Sequence, residues 1–168
     1  MTTLAAGPAA AVKVGLGQIA ASAEPERALS ALGLGSCIGL VMIDPGSGVV
    51  GMAHVMLPDS ALSSAGGPAG KYADTAVPAL IEAVCDLGAT TSRLVVKMAG
   101  GAQMFTGAGA GTLNIGTRNA VAVRTALTAA GLRLRAADTG GNAGRTLEVV
   151  AGSGIVTVRS VGGRPQPL

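Results

Sequence analysis

The near absence of aromatic residues most limits how this chain can fold. Tyr72 and Phe105 are the only rings among 168 residues, although about half of the chain (49%) is apolar. The core must therefore be assembled from Ala, Val, Leu, Ile and Met. Gly occurs 27 times, which predicts many turns and close backbone contacts. The length suits one domain over residues 1–168, with loose tails expected at residues 1–11 and 162–168.

Composition argues against a membrane or nucleic-acid role. The longest uncharged stretch, Met98 to Thr117, contains six glycines and is predicted as loop, not span. The net charge of +3 comes from scattered basic residues without stacking aromatics, so no nucleic-acid surface is expected. The two cysteines, Cys37 and Cys85, have no metal-ligand spacing and form no disulfide framework. A cytoplasmic protein without metal or cofactor is the simplest reading.

The hydrophobic pattern predicts an α+β fold with strand-rich ends. Ile38–Ile43 and Val49–Leu57 flank the turn sequence Asp44–Gly48 and are expected to form a β-hairpin. A helix is predicted from about Asp74 to Gly88, since apolar residues recur there with helical spacing. Further predictions are a strand at 12–16, a charged connection at 24–30, a strand at 94–98, a glycine-rich loop at 99–111, a helix at 117–130 and strands at 132–136, 146–150 and 155–158.

Glycine clusters at 33–35 and 107–111 do not predict nucleotide binding. The first lacks a third glycine at the required spacing and precedes a strand, and the second lacks the Lys-Ser/Thr of a phosphate loop. The segment Gly35–Gly39 has the outline of a nucleophile elbow, but such an elbow leads into a helix. Turn geometry explains these glycines better.

Cys37 and His54 are the candidate catalytic pair, and His54 is the only histidine of the chain. If Ile43 pairs with Gly48 in the hairpin, Cys37 faces His54 directly, with Cβ atoms about 4.5–5.5 Å apart. A register one residue longer would place them on opposite faces. Cys85 falls on the buried side of the predicted helix and is interpreted as a core residue.

The chemistry of a thiol explains why this pairing matters. A free thiol has a pKa of about 8.5, and no helix follows Cys37 in the sequence to lower it, so a base is needed. His54 could take the proton and later deliver it to a leaving group. Backbone N–H groups around Gly35 to Ile38 are candidates for an oxyanion hole, and Ser36 is interpreted as a loop hydroxyl.

Several separate motifs resemble the chemoreceptor glutamine deamidase family, CheD. They include Leu32–Gly39, Gly51–Pro58 and Tyr72–Gly88, and the resemblance extends from about Val12 to about Val158. Further positions that carry it are Lys97, Gly100, Gly101, Ala102, Met104, Ile115, Gly116, Arg118, Asn119, Asp138, Gly140, Gly141, Gly144 and Arg145.

The resemblance implies a layered α/β/β sandwich like the deamidase domain of cytotoxic necrotising factors. It implies Cys37 as nucleophile and His54 as general base, acting without cofactor on glutamines of methyl-accepting chemoreceptors. It also implies a candidate partner, a CheC-type phosphatase. A methylesterase-like activity on receptor glutamyl esters would use the same thioester chemistry and stays open.

One position departs from the family. A threonine that helps to orient the histidine usually stands six residues before the cysteine, where this chain has Ala31. Alanine has no polar side-chain atom, so a lower rate is expected. Ser30, which an extended strand would point to the other face, and Ser36 are candidate substitutes, and Gly35 is a candidate for oxyanion support. The departure keeps a second function open, a catalytically weak module that binds receptors or a CheC-type partner.

Overall fold

The structure is a computed structural model and describes residues 10–104 and 114–168. These residues form two five-stranded sheets and two α-helices, which confirms the α+β class. The strands are β1 Val12–Lys13, β2 Ile19–Ser22, β3 Ala28–Leu34, β4 Ile38–Ile43, β5 Val50–Val55, β6 Val95–Gly100, β7 Leu134–Thr139, β8 Arg145–Val150, β9 Val156–Ser160 and β10 Gln166–Pro167. The helices are α1 Ala73–Asp86 and α2 Ile115–Ala129, close to the two predicted helices. Neither has the length and apolarity needed to cross a bilayer.

The two sheets are mostly antiparallel. The first has the order β1-β3-β8-β9-β10 and the second the order β2-β5-β4-β6-β7. Among the strands of the described residues, only β1 with β3 and β6 with β7 pair in parallel. Helix α2 makes the connection between β6 and β7, as parallel neighbours require a crossover. The predicted hairpin, β4 with β5, lies in the middle of the second sheet.

Strand β4 is buried on both faces, and its alternating side chains join two cores. Leu40 packs with Leu80 of α1 and Leu127 of α2 on one face. On the other face, Val41 packs with Leu147 of β8, in a layer shared with the first sheet. Among the described residues, the largest side chains with no more than 1% exposure are aliphatic or methionine, and Tyr72 is the buried aromatic residue.

Several predicted boundaries differ from the structure. The predicted connection at residues 24–30 gives way to β3 from Ala28, and β2 was not predicted. Most of β2 and the start of β3 consist of Ala and Ser, so the hydrophobic pattern is weak there. The C-terminal residues predicted as a loose tail include β10, which pairs with β9. Residues 1–9 of the predicted N-terminal tail and residues 105–111 of the predicted glycine-rich loop lie outside the described residues.

The predicted hairpin register is wrong by two residues. Ile43 pairs with Val50, not with Gly48. The loop is wider because Asp44 organises it: its N–H donates to the Val49 carbonyl, and its carbonyl accepts from the Gly48 N–H. A shift of two residues leaves every side chain on its predicted face, because side chains alternate with a period of two.

Asp44 anchors this loop from a fully buried position. The Arg93 guanidinium donates to both carboxylate oxygens at 2.9 and 2.8 Å, and the Thr90 N–H donates at 2.8 Å. The Gly46 N–H also donates to the carboxylate, at 2.8 Å. The bond from Arg93 is the main reason that the pKa of Asp44 lies well below its usual value.

We expect Asp44→Ala to lower the free energy of unfolding at neutral pH by about 1–3 kcal/mol, because the Arg93 guanidinium and the N–H groups of Thr90 and Gly46 lose their buried, charged acceptor. The depressed pKa adds a pH dependence. The contribution of Asp44 is fully present above the unfolded pKa of about 3.9 and is lost as the pH falls towards the folded pKa.

Urea denaturation at a series of pH values measures this effect. The difference between wild type and Asp44→Ala should shrink as the pH falls below about 4. Asp86→Ala, which removes an exposed aspartate, is the matched control and should change little. A difference that grows on acidification would contradict the assignment.

Candidate active site

His54 is buried in β5 and is held by a main-chain carbonyl. Only 3% of the residue is exposed, and its Nδ1 lies 3.0 Å from the Val14 carbonyl oxygen. A carbonyl can only accept, so Nδ1 carries the proton. In the neutral ring, Nε2 then has a free lone pair, and it meets no hydrogen-bond partner within the described residues. The neutral ring is therefore held in one tautomer, with Nε2 as a hydrogen-bond acceptor.

The segment after β1 brings the Val14 carbonyl to this place. The Val14 N–H donates to the Ser30 carbonyl of β3 at 2.8 Å. Further along, the Gly17 N–H donates to the His54 carbonyl, and the His54 N–H donates to the Gln18 carbonyl. Sequence reasoning missed Val14 because a backbone carbonyl is present at every residue and leaves no mark in the side-chain pattern.

Cys37 lies diagonally from His54 on the same face of the second sheet. Gly39 is the residue that faces His54, so the predicted direct opposition of Cys37 and His54 is wrong. Residues diagonal across an antiparallel pair have a separation of about 7–8 Å. Gly39 has no side chain, and the space over it is taken by Leu34 and Leu147 of the first sheet. The predicted shared face of Cys37 and His54 is retained.

The loop that carries Cys37 is fastened to the end of β6. The Gly101 N–H donates to the Cys37 carbonyl at 2.9 Å, and the Ala102 N–H donates to the Gly35 carbonyl at 2.8 Å. Gly100 has a φ of +117°, and a Cβ there would overlap the Cys37 carbonyl oxygen. Only glycine allows so close an approach.

The backbone N–H groups of Gly35, Ser36 and Cys37 donate to no acceptor in the described part of the chain. They sit beside the thiol, as the N–H groups of an oxyanion hole would. Ile38, in contrast, is already part of the β4–β5 ladder.

A cleft of about 490 Å³ opens over the thiol. Its lining among the described residues contains no charged side chain, and His54 is not part of it. Cys37 is half-buried and borders the cleft, whereas His54 is buried behind it in β5. The lining residues are Gly33, Gly35, Ser36, Cys37, Ala102, Gln103, Met104, Asn114, Ile115 and Gly116.

The start of α2 forms one wall of this cleft through Asn114, Ile115 and Gly116. Gly116 permits this, because a Cβ there would overlap the carbonyl oxygens of Gly101 and Ala102. A helix N-terminus carries partial positive charge and favours a thiolate or an oxyanion nearby. Local sequence reasoning found no such helix, because α2 lies far from Cys37 in the chain.

Burial raises the pKa of the Cys37 thiol, because the charged thiolate is poorly solvated there. The thiol therefore needs a neighbouring base if it is to react as a thiolate at neutral pH.

The remaining predicted residues are not all brought together. Ser36 lines the cleft, but Ser30 lies in a separate pocket with Lys13 and Glu148. Ala31 is fully buried in the apolar layer between the sheets. Cys85 lies on α1, with its Sγ 3.5 Å from the Thr91 hydroxyl.

No three His, Cys, Asp or Glu side chains converge on a metal-sized space within residues 10–104 and 114–168.

Comparison with known proteins places the chain in a family. The family model described as CheD chemotactic sensory transduction matches residues 56–160. Curated relatives extend the similarity towards the N-terminus, over about nine-tenths of the chain. The chain belongs to the CheD family.

Three relatives illustrate the range of organisms. A protein of Symbiobacterium thermophilum named probable chemoreceptor glutamine deamidase CheD is 47% identical over 151 residues, covering 89% of this chain and 92% of its own. The chemoreceptor glutamine deamidase CheD of Thermotoga maritima is 46% identical over 156 residues, covering 91% and 94%. A probable chemoreceptor glutamine deamidase CheD of Methanococcus vannielii is 43% identical over 148 residues, covering 88% and 94%.

Alkylation by iodoacetamide should distinguish the two cysteines. We expect Cys37 to react faster than Cys85 at neutral pH, because only Cys37 has an imidazole on its own sheet face and lines the cleft. His54→Ala removes the imidazole and leaves the burial of the thiol in place, so the midpoint of the pH profile for Cys37 should move to higher pH.

Peptide mass spectrometry resolves the two sites in one sample, and Cys85 serves as the internal control. An unchanged Cys37 profile in a folded His54→Ala protein would mean that the imidazole does not act on the thiol.

Proposed function

We propose that this protein hydrolyses the side-chain amide of glutamines in methyl-accepting chemoreceptors, converting them to glutamate. One observation carries the proposal. His54 presents an unpartnered Nε2 on the face that carries Cys37, while its Nδ1 is anchored to the Val14 carbonyl. The names of the curated relatives point to the same activity.

Acylation begins when Nε2 of His54 takes the proton of Cys37. The sulfur attacks the glutamine Cδ, and the carbonyl electrons move to oxygen, where N–H groups of Gly35, Ser36 and Cys37 stabilise the negative charge. The imidazolium then protonates the amide nitrogen. The C–N bond breaks, ammonia leaves and a thioester remains.

Deacylation uses the same base. His54 removes a proton from water, whose oxygen attacks the thioester carbon. The C–S bond breaks, and the imidazolium returns its proton to sulfur. The sum of both halves is glutamine plus water giving glutamate plus ammonia, with Cys37 and His54 restored.

The uncharged lining of the cleft supports a neutral carboxamide as substrate. A carboxylate or phosphate would enter without a cationic side chain among the described lining residues to compensate its charge.

The proposal also includes the domain organisation, the type of fold and the cellular location. We propose a single deamidase domain with a layered sandwich of the necrotising-factor type, located in the cytoplasm. One buried layer between helices and second sheet and another between the two sheets support the layering. A CheC-type phosphatase as partner stays a prediction from the resemblance alone.

Mass spectrometry of a chemoreceptor cytoplasmic fragment tests the activity. We expect the wild type to convert particular glutamines to glutamate, while Cys37→Ala gives no conversion. His54→Ala should lower kcat by about 100-fold or more, the usual contribution of a general base. Cys85→Ala is the matched control and should keep full activity.

Two other results of the experiment on the receptor fragment would favour the alternative functions. A folded wild type that converts no glutamine would contradict the deamidase and favour the binding module. Release of methanol from a methylated fragment, without loss of amide, would instead favour the esterase.

Ala31→Thr tests how the histidine is oriented. Because Nδ1 of His54 is already bound to the Val14 carbonyl, we expect no large gain in kcat from the added hydroxyl. The variant should also be less stable, since Ala31 is fully buried among apolar side chains. A tenfold rise in kcat, equal to about 1.4 kcal/mol of barrier, would show that a hydroxyl at this position improves the base.

A further inference from the structure

We propose that Asn119 is a positioning residue for the reaction, holding the Cys37 loop against the strand that carries His54. The inference rests on the proposed function for its catalytic meaning. Asn119 lies one turn into α2, and its Nδ2 donates to the Ser36 carbonyl and to the Met56 carbonyl, each at 2.9 Å. Ser36 directly precedes the nucleophile, and Met56 is two residues beyond the base.

The catalytic end of the hairpin needs such a clamp. The β4–β5 ladder ends with the pair Ile38 and Val55. Cys37 lies just beyond that pair, so the ladder does not determine how its backbone is placed relative to His54. The two bonds from Asn119 connect the strands again past the end of the ladder.

The other supports of the loop come from a different side. Gly101 and Ala102 bind the carbonyls of Cys37 and Gly35 through backbone N–H groups at the end of β6. Neither contact involves β5. Within residues 10–104 and 114–168, Asn119 is the side chain that joins the Cys37 loop directly to the backbone just beyond the strand of His54.

The clamp is buried and depends on hydrogen-bond donors. Asn119 is 0% exposed. No other donor in the described residues reaches the carbonyl of Ser36 or Met56. Since both partners are acceptors, the amide nitrogen must face them, and Oδ1 has no partner within the described residues. An ionised Asp has the shape of Asn but cannot replace it, because it would set a third acceptor against the two carbonyls.

Asn119 also connects the clamp to the cleft. The preceding residues Asn114, Ile115 and Gly116 line the cleft, whereas Asn119 does not. Its loss should therefore affect the chemical step more than substrate binding. Misplacement of a reacting group by about 1 Å can reduce the rate about 100-fold.

The test compares Asn119→Leu, Asn119→Asp and Asn119→Gln with wild type. We expect kcat on the receptor fragment to fall about 100-fold in the Leu and Asp variants, with KM unchanged. The Gln variant keeps the donor on a longer side chain, so its kcat should fall less. In the Leu and Asp variants, the pH profile of Cys37 alkylation should move towards that of His54→Ala, while Cys85 is unaffected.

Asp44→Ala is the matched control for lost stability. It removes a buried polar anchor at the opposite end of the same two strands. Below its melting temperature it should keep both kcat and the Cys37 profile, although Tm falls. If kcat in the Asn119 variants falls only as far as in Asp44→Ala at equal Tm, the positioning role is refuted.

The two proposals fail separately. If wild type deamidates the fragment and Asn119→Leu keeps its kcat and its Cys37 profile, Asn119 has no positioning role, while the deamidase stands. If wild type lacks activity, the pH profiles of Cys37 alkylation still test whether Asn119 positions the Cys37 loop. If the alkylation profile of Cys37 is unchanged in all folded Asn119 variants, the positioning role is refuted. If the profile shifts, the positioning role of Asn119 is supported even though the protein is not a deamidase.

Discussion

The pairing of β4 with β5 is the constraint on which the rest of the structure depends. Every residue of both strands is buried. One face meets the helices and the other meets the first sheet, so a slip by one residue would exchange the two cores. The same alternation puts Cys37 and His54 on one face. Folding and the arrangement of the candidate site are therefore decided by a single register.

Local sequence patterns predict those features of the site that follow from the alternation of side chains along a strand. The hairpin and the shared face of Cys37 and His54 were predicted, because alternation tolerates a shift of two residues. The direct opposition was not correct, because the loop length depends on how Asp44 binds the loop backbone and Arg93. The start of β3 shows little apolar alternation, and it forms a strand because it pairs with β1 and β8.

Other parts of the site could not be predicted from residue types. The start of α2 reaches the Cys37 cleft through tertiary packing, which Gly116 allows. Asn119 looked like one residue of a family motif, and its two acceptors are backbone carbonyls remote in sequence. Groups of this kind become visible only when the chain is folded.

His54 is anchored by a main-chain carbonyl and not by a side chain, and this affects how easily the anchor is lost. The Val14 carbonyl follows β1, a strand of two exposed residues at the edge of its sheet. Opening of such an edge requires far less free energy than global unfolding. Val14 itself lies beyond β1 and is buried in the layer between the two sheets, so detachment of β1 stops short of the residue that holds His54. The tautomer of the ring therefore tolerates fraying of this edge and depends on the core between the sheets.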